Sequence, residues 1–141
     1  MAIVNTLSKC LDSPYLFIDE DAPQRVGTLL SKAGDRLEAA ANILNSGQGD
    51  AADATFLSYE AMFSCVRALV YAKGYREAGL RCLLLACETL YVKTGEIDAQ
   101  HIHDFERAQT LRIPPNEALL AASKFVKRAL ELLTASPAKS A

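Results

Sequence analysis

The two histidines of this chain, His101 and His103, are the side chains best suited to transfer protons near neutral pH. They lie about 200° apart around a regular helix, so a helix cannot direct both toward one metal ion, and we predict no metal site. His103 shares a helical face with Arg107, which can also pair with Asp104. That face leads to Arg112. His103 beside Arg107 and Arg112 is therefore a candidate for general-base chemistry, although such charged pairs are usually surface ion pairs.

Five cationic side chains are candidates for binding a ligand: Arg67, Arg112, Lys124, Lys127 and Arg128. Arg67 lies beside the apolar stripe of its predicted helix, where a buried charge needs a partner. It either extends its stem over the core or lines a groove. Lys124, Lys127 and Arg128 share one face of the last predicted helix. Such a face is usually solvated, and otherwise it can contact phosphate groups.

Composition excludes several classes of protein. The formal net charge of −2 gives no overall attraction to nucleic acid or to an anionic membrane. The sequence has no glycine-rich phosphate loop, no nucleophile elbow and no paired-carboxylate signature, and we expect no cofactor. Tyr59, Tyr71, Tyr75 and Tyr91 fall at helical positions, which favours core or interface roles over a platform for stacking bases.

The four cysteines, Cys10, Cys65, Cys82 and Cys87, form no CxxC pair. Most of them occupy positions in helical patterns that suit small buried apolar groups, so we predict reduced thiols, with a disulfide framework or a zinc site as the alternatives. We also expect no signal peptide, and no run of about 18 apolar residues could cross a bilayer. These features together predict a cytoplasmic protein.

Apolar residues at spacings of three and four predict five helices, which begin near Asp21, Asp50, Leu80, Asp98 and Pro115. Turns follow at Gly47, Gly74, Gly95 and Pro114-Pro115. No stretch alternates at a period of two, so a sheet is not expected. We predict an all-α fold, an up-down antiparallel bundle of four to five helices over residues 21–135, followed by a disordered tail, 136–141.

Residues 1–20 have the weakest periodicity and are predicted to be an N-terminal extension or strap. Val4, Leu7 and Leu11 can form one short amphipathic helix, and the apolar run 15–18 should pack on this chain or on a partner. Within the bundle, Phe63 and Leu84 are predicted core residues, because each lies in the middle of its apolar stripe. Leu111 is also expected to face inward.

Four segments resemble the HEPN family of small helical proteins. They are 53–63 with its continuation through Arg67-Ala68-Leu69 to Gly74, 91–98, 105–112 and 121–126. The resemblance covers roughly residues 23–134. It implies a helical bundle, usually a homodimer, that is often encoded beside a minimal nucleotidyltransferase in a toxin–antitoxin or defence module. It also implies that Arg67 and Arg112 line a groove at the dimer axis.

The chain departs from this family at its catalytic motif. Catalytic HEPN ribonucleases carry an Arg followed by His after about four to six intervening residues, and the two together move a proton and stabilise the charged phosphorane. Here Arg112 fits the arginine, but no histidine follows it, and a second family histidine would fall near Leu80 and is also missing. The resemblance therefore implies a non-catalytic binding partner or adaptor for a nucleotidyltransferase, nucleotide or RNA.

Two alternatives remain open. One is a divergent, metal-independent ribonuclease toxin that uses Arg112 with His103. The other is a structural subunit of a larger assembly, whose N-terminal strap docks on another chain.

Overall fold

The apolar stripes form six α-helices in the computed structural model, which describes residues 6–134. Their bounds are α1 Leu7–Leu11, α2 Val26–Ser46, α3 Ala51–Ala72, α4 Leu80–Cys87, α5 Ala99–Gln109 and α6 Pro115–Thr134. Helix α3 is the centre of the bundle, because α2, α4, α5 and α6 all pack against it. This confirms the predicted all-α helical fold. Val4 and the predicted tail, 136–141, lie outside the described residues.

Local signals explain where the helices begin and end. The carboxylates of Asp50 and Asp98 accept hydrogen bonds from the backbone N–H groups of Ala52 and Gln100, at 3.0 and 2.9 Å, and so cap α3 and α5. Gly47 ends α2 with a φ of 68°, a left-handed conformation that glycine adopts without steric cost. The short connection from α2 to α3 then makes these two packed helices antiparallel.

A 3₁₀ turn, Ala22–Arg25, leads into α2, and a π-helical turn, Glu88–Val92, extends α4 toward Gly95. The Tyr91 hydroxyl in the π-helical turn donates a hydrogen bond of 2.5 Å to the carbonyl oxygen of Leu69 in α3. Burial raises the pKa of Tyr91. The phenol therefore stays neutral, and its role is to donate this hydrogen bond between the π-helical turn and α3.

The expectation of no sheet was wrong for one short pairing. Strands β1, Leu16–Ile18, and β2, Tyr75–Glu77, form an antiparallel ladder in which Phe17 opposes Arg76. Leu16 is fully buried, so this residue of the predicted apolar run packs on this chain, whereas Tyr15, Phe17 and Ile18 are exposed. Strands of three residues are too short to show a period of two in the sequence, which is why the pattern gave no signal.

The prediction of reduced thiols was wrong for two of the four cysteines. Cys10 of α1 and Cys82 of α4 form a disulfide, because the packing of these helices brings their Cα atoms within 5.6 Å. Cys65 and Cys87 are free and buried, as expected. Burial raises the pKa of each of these two thiols to about 12.

Two predicted core positions are only half-buried, and the prediction that Leu111 faces inward was wrong. Phe63 and Leu84 are half-buried at the edge of the core, whereas their neighbours Met62 and Leu83 are fully buried. Leu111 is 59% exposed and has a φ of 58°, so it lies in a turn rather than on a helical face. Within residues 6–134, no helix is both long enough and apolar enough to cross a membrane.

Candidate functional site

The side chain of Arg107 on α5 joins α5 to the start of α6. One of its nitrogens lies 3.2 Å from a carboxylate oxygen of Glu117 and 3.7 Å from one of Asp104. Another donates a hydrogen bond of 3.5 Å to the carbonyl oxygen of Arg112, whose N–H donates in return to the Arg107 carbonyl at 2.8 Å. Two carboxylates and a carbonyl therefore occupy this guanidinium.

The side chain of Arg112 is exposed beside a cleft of about 460 Å³ between the start of α3 and the turn before α6. Thr55, Leu111 and Pro115 contribute to its walls. His103 is exposed on α5 and is not among the described residues that line this cleft. The fold therefore joins Arg107 to the backbone of Arg112, and it does not make His103 a lining residue of the cleft beside Arg112.

His101 lies in the first turn of α5 and is only partly exposed to solvent. Its ring is half-buried and stacks on the fully buried Phe125, with ring centroids 5.0 Å apart. Burial lowers the pKa of His101, and this outweighs the neighbouring carboxylates of Asp98 and Asp104, which raise it. The imidazole also lines a small cleft of about 240 Å³ with Lys124.

The three cations of α6, Lys124, Lys127 and Arg128, differ in the groups that they contact. Arg128 donates a hydrogen bond of 2.8 Å from Nε to the carbonyl oxygen of Glu96, and it also pairs with Glu131 at 3.4 Å. Lys124 lines the His101 cleft, and Lys127 is exposed. Arg128 therefore anchors the turn before α5, which leaves Lys124 and Lys127 as the cations of this face that are available to a ligand.

Arg67 on α3 is held from two sides. Its Nε donates a hydrogen bond of 2.8 Å to Oε2 of Glu77 on β2, and its guanidinium carbon lies 4.4 Å from the centre of the Phe63 ring. The other oxygen of Glu77 accepts a hydrogen bond of 2.5 Å from the hydroxyl of Tyr71. Burial raises the pKa of Tyr71 to about 12, and the bond to Glu77 adds to this effect.

Arg67 also lies between two cavities that open between α2 and α3. The larger, of about 540 Å³, extends toward β2, and the smaller, of about 280 Å³, extends toward the start of α3. Lys32 and Arg67 line both cavities and so join them into one groove. Hereafter the cationic groove means these two cavities, and its cations are Arg25, Lys32, Arg36, Arg67 and Arg76.

Three of the five cations have a carboxylate partner. Arg67 pairs with Glu77, Arg76 pairs with Asp19 at 3.5 Å, and Arg36 pairs with Glu60 at 3.6 Å. Arg25 and Lys32 have no carboxylate partner within residues 6–134. The groove therefore has an excess of two positive charges on a chain whose formal net charge is −2.

Aromatic rings form the wall of the groove on α3. Tyr59 stacks on Phe105 with centroids 5.1 Å apart, and Phe63 meets Phe105 edge to face at 5.7 Å. Phe56 lies further out and is 52% exposed. Of the three rings in this wall, Phe56 is exposed, whereas Tyr59 and Phe63 are half-buried and pack against the core.

The sequence predicted Arg67 beside Arg112 in a groove at a dimer axis, whereas in this chain Arg67 lines the cationic groove and Arg112 lines a separate cleft. The other four cations of the groove were not predicted. Arg25, Lys32 and Arg36 are spaced by seven and four residues, so the face that they share along α2 and the turn before it was readable from the sequence. The position of Arg76 could not be read from the sequence, because Arg76 lies in the groove only as a result of the pairing of β2 with β1.

Comparison with known proteins supports the family but adds no closer relative. A family model described as the HEPN domain matches residues 26–133, which is most of the chain. No curated protein and no solved structure matches the chain significantly.

Proposed function

Because this chain belongs to the HEPN family but lacks that family's Arg–His pair, we propose that it is a non-catalytic binding protein, an adaptor for an anionic partner. The observation that carries this proposal is the cationic groove, in which Arg25 and Lys32 have no carboxylate partner within residues 6–134. An anionic ligand would supply the missing counter-charge.

The surroundings of the predicted catalytic residues support the non-catalytic part of the proposal. Metal-free RNA cleavage needs a group that accepts a proton from the 2′-hydroxyl, and arginine cannot do so at neutral pH. The guanidinium of Arg107 is occupied by Asp104, Glu117 and the Arg112 carbonyl. His101 packs on Phe125, and His103 does not line the Arg112 cleft.

The family resemblance supports three kinds of partner: a nucleotidyltransferase, a nucleotide or RNA. A nucleotide and RNA carry negative charge, which the cationic groove complements, and a nucleotidyltransferase would need an acidic surface segment to bind there. The resemblance also supports a homodimer within a toxin–antitoxin or defence module. Static light scattering at tens of micromolar measures this association, and a mass of one chain in the absence of any partner would contradict it.

Incubation of the purified chain with transfer RNA and with single-stranded RNA, both in the presence of a metal chelator, tests the non-catalytic proposal. We expect no cleavage above the buffer control. The divergent ribonuclease predicts cleavage that is lost in both Arg112→Ala and His103→Ala, and that result would overturn our proposal. Circular dichroism of each variant controls for loss of the fold.

One observation favours a structural subunit as the second candidate function. Three apolar side chains of the N-terminal strap remain exposed, Tyr15 at 49%, Phe17 at 44% and Ile18 at 71%. An exposed apolar cluster beside a short edge strand is typical of a contact with another chain. Ile18→Ser should then shift the sedimentation of the assembly, and an unchanged profile would count against this candidate.

A further inference from the structure

We infer that the cationic groove is the docking site for an acidic, amphipathic helical segment of a partner protein. This inference rests on the proposed function, because it names the partner of a chain that binds rather than cleaves. Three features of the groove lead to this inference. They are its length, its two unpaired cations, and the fact that neighbouring side chains cover faces of the Tyr59 and Phe63 rings.

The groove is long enough for a docked helix. Its α3 wall runs from Phe56 to Tyr71, which is about 22 Å of helix axis and equals a ligand helix of about 15 residues. The opposite wall, on α2 and the turn before it, runs from Arg25 to Arg36. Two antiparallel helices that form the sides of a surface groove are an arrangement in which amphipathic helices dock.

The charges of the groove select an acidic ligand. Arg25 and Lys32 are seven residues apart, about two helical turns, and both are exposed. Acidic side chains at the same spacing on a docked helix can pair with both. Glu60 and Glu77 neutralise Arg36 and Arg67, so the groove presents two separate positive charges rather than the continuous cationic track that a phosphate backbone follows.

The aromatic rings favour an apolar side chain over a nucleobase. A base stacks on an open ring face, but one face of Tyr59 is covered by Phe105 and the Phe63 ring is covered by Arg67. Phe56 and the half-buried edges of Tyr59 and Phe63 instead form an apolar rim. A leucine or similar side chain of the partner can pack there without displacing these contacts.

The experiment titrates the full chain with a fluorescein-labelled peptide of about 15 residues, built from Glu, Leu and Ala with its leucines on one helical face. We expect saturable binding that weakens as ionic strength rises from about 0.05 M to about 0.5 M. The same peptide with Lys in place of Glu, and a single-stranded oligouridylate of similar charge, should each bind about tenfold more weakly or worse.

Variants locate the binding in the groove. The double variant Arg25→Glu with Lys32→Glu should weaken peptide binding by about tenfold or more, and Arg25→Gln with Lys32→Gln should weaken it by less. The matched control is Lys9→Glu with Lys93→Glu, two exposed cations outside the groove, which should leave the affinity unchanged. Phe56→Ala should weaken binding, whereas Leu120→Ala, at a similarly exposed position, should not.

Failure of the acidic peptide to saturate the protein overturns the inference, and so does an equal loss in the control variants. Tighter binding of oligouridylate that the Arg25 and Lys32 variants abolish also overturns it and assigns the groove to nucleic acid. RNA cleavage by the wild-type chain is a separate outcome. It would overturn the proposed function and leave the peptide titration interpretable on its own.

Discussion

The guanidinium of Arg67 and the carboxylate of Glu77 meet at 2.8 Å across two elements, α3 and β2. Glu77 is the more deeply placed partner, because its side chain is 8% exposed and that of Arg67 is 42% exposed. With its second oxygen bound to the Tyr71 hydroxyl, Glu77 ties β2 to the helix that carries the aromatic wall. The shape of the cationic groove therefore depends on this one carboxylate.

Replacement of Glu77 by Gln tests that dependence. The amide can still accept the Tyr71 hydrogen bond but cannot neutralise Arg67, which is exposed enough to turn toward water. We expect the free energy of unfolding, measured in urea, to fall by about 1 kcal/mol. Glu131→Gln removes the exposed partner of Arg128 and is the control, with a smaller expected loss. An equal loss in both variants would mean that Glu77 has no special role.

Truncation of Phe105 should be the most damaging change in the aromatic cluster. Phe105 is fully buried and contacts both Tyr59 and Phe63, so Phe105→Ala leaves a cavity and should cost about 3 to 5 kcal/mol of unfolding free energy. Phe63→Ala should cost less, because Phe63 is half-buried and solvent can fill part of the space. Urea denaturation of both variants measures the difference, and a larger loss in Phe63→Ala would reverse this order.

The helices were predictable because each must bury one face, and burial of one face imposes a repeat of three to four residues. The starts of α3 and α5 at Asp50 and Asp98 were predictable for a second local reason. A carboxylate at the start of a helix accepts a hydrogen bond from a backbone N–H group that has no partner within the helix. Phe63 and Leu84 show the limit of this reasoning. A stripe gives the direction of the core but not its edge, which depends on where neighbouring helices end.

The candidate site was less predictable than the fold. Arg67 could be identified from the sequence as a candidate, because a charged residue beside an apolar stripe needs a partner if it is buried. The cysteine pair and the β1–β2 ladder bring together residues that are far apart in the chain, and no local pattern encodes such contacts. The position of Arg76 depends on that ladder, so the groove as a whole could be described only from the structure.

Loss of the Cys10–Cys82 disulfide should destabilise the chain. The bond links residues 72 positions apart, and closure of a loop of that length stabilises the folded state by about 4 kcal/mol through the entropy of the unfolded chain. We therefore expect a reductant to lower the melting temperature. In the double variant Cys10→Ser with Cys82→Ser, the melting temperature should start low and not respond to reductant. A wild-type melting temperature that reductant leaves unchanged would contradict the structural role of this bond.

His101 should make stability depend on pH below its ordinary pKa of about 6.5. Burial lowers the pKa of His101 in the folded state, and Lys124 and Arg128 act in the same direction, while Asp98 and Asp104 oppose them. As the pH falls below about 6.5, the unfolded chain binds a proton that the folded chain resists, so the free energy of unfolding decreases until the lowered pKa is passed. Above about pH 6.5 the stability that the neutral His101 side chain contributes is fully present.

His101→Gln should remove this part of the pH dependence, measured by urea denaturation between about pH 7.5 and pH 5. His103→Gln, on the same helix, should keep the slope that His101 supplies, and an equal flattening in both variants would show that the stacked position against Phe125 is not its source.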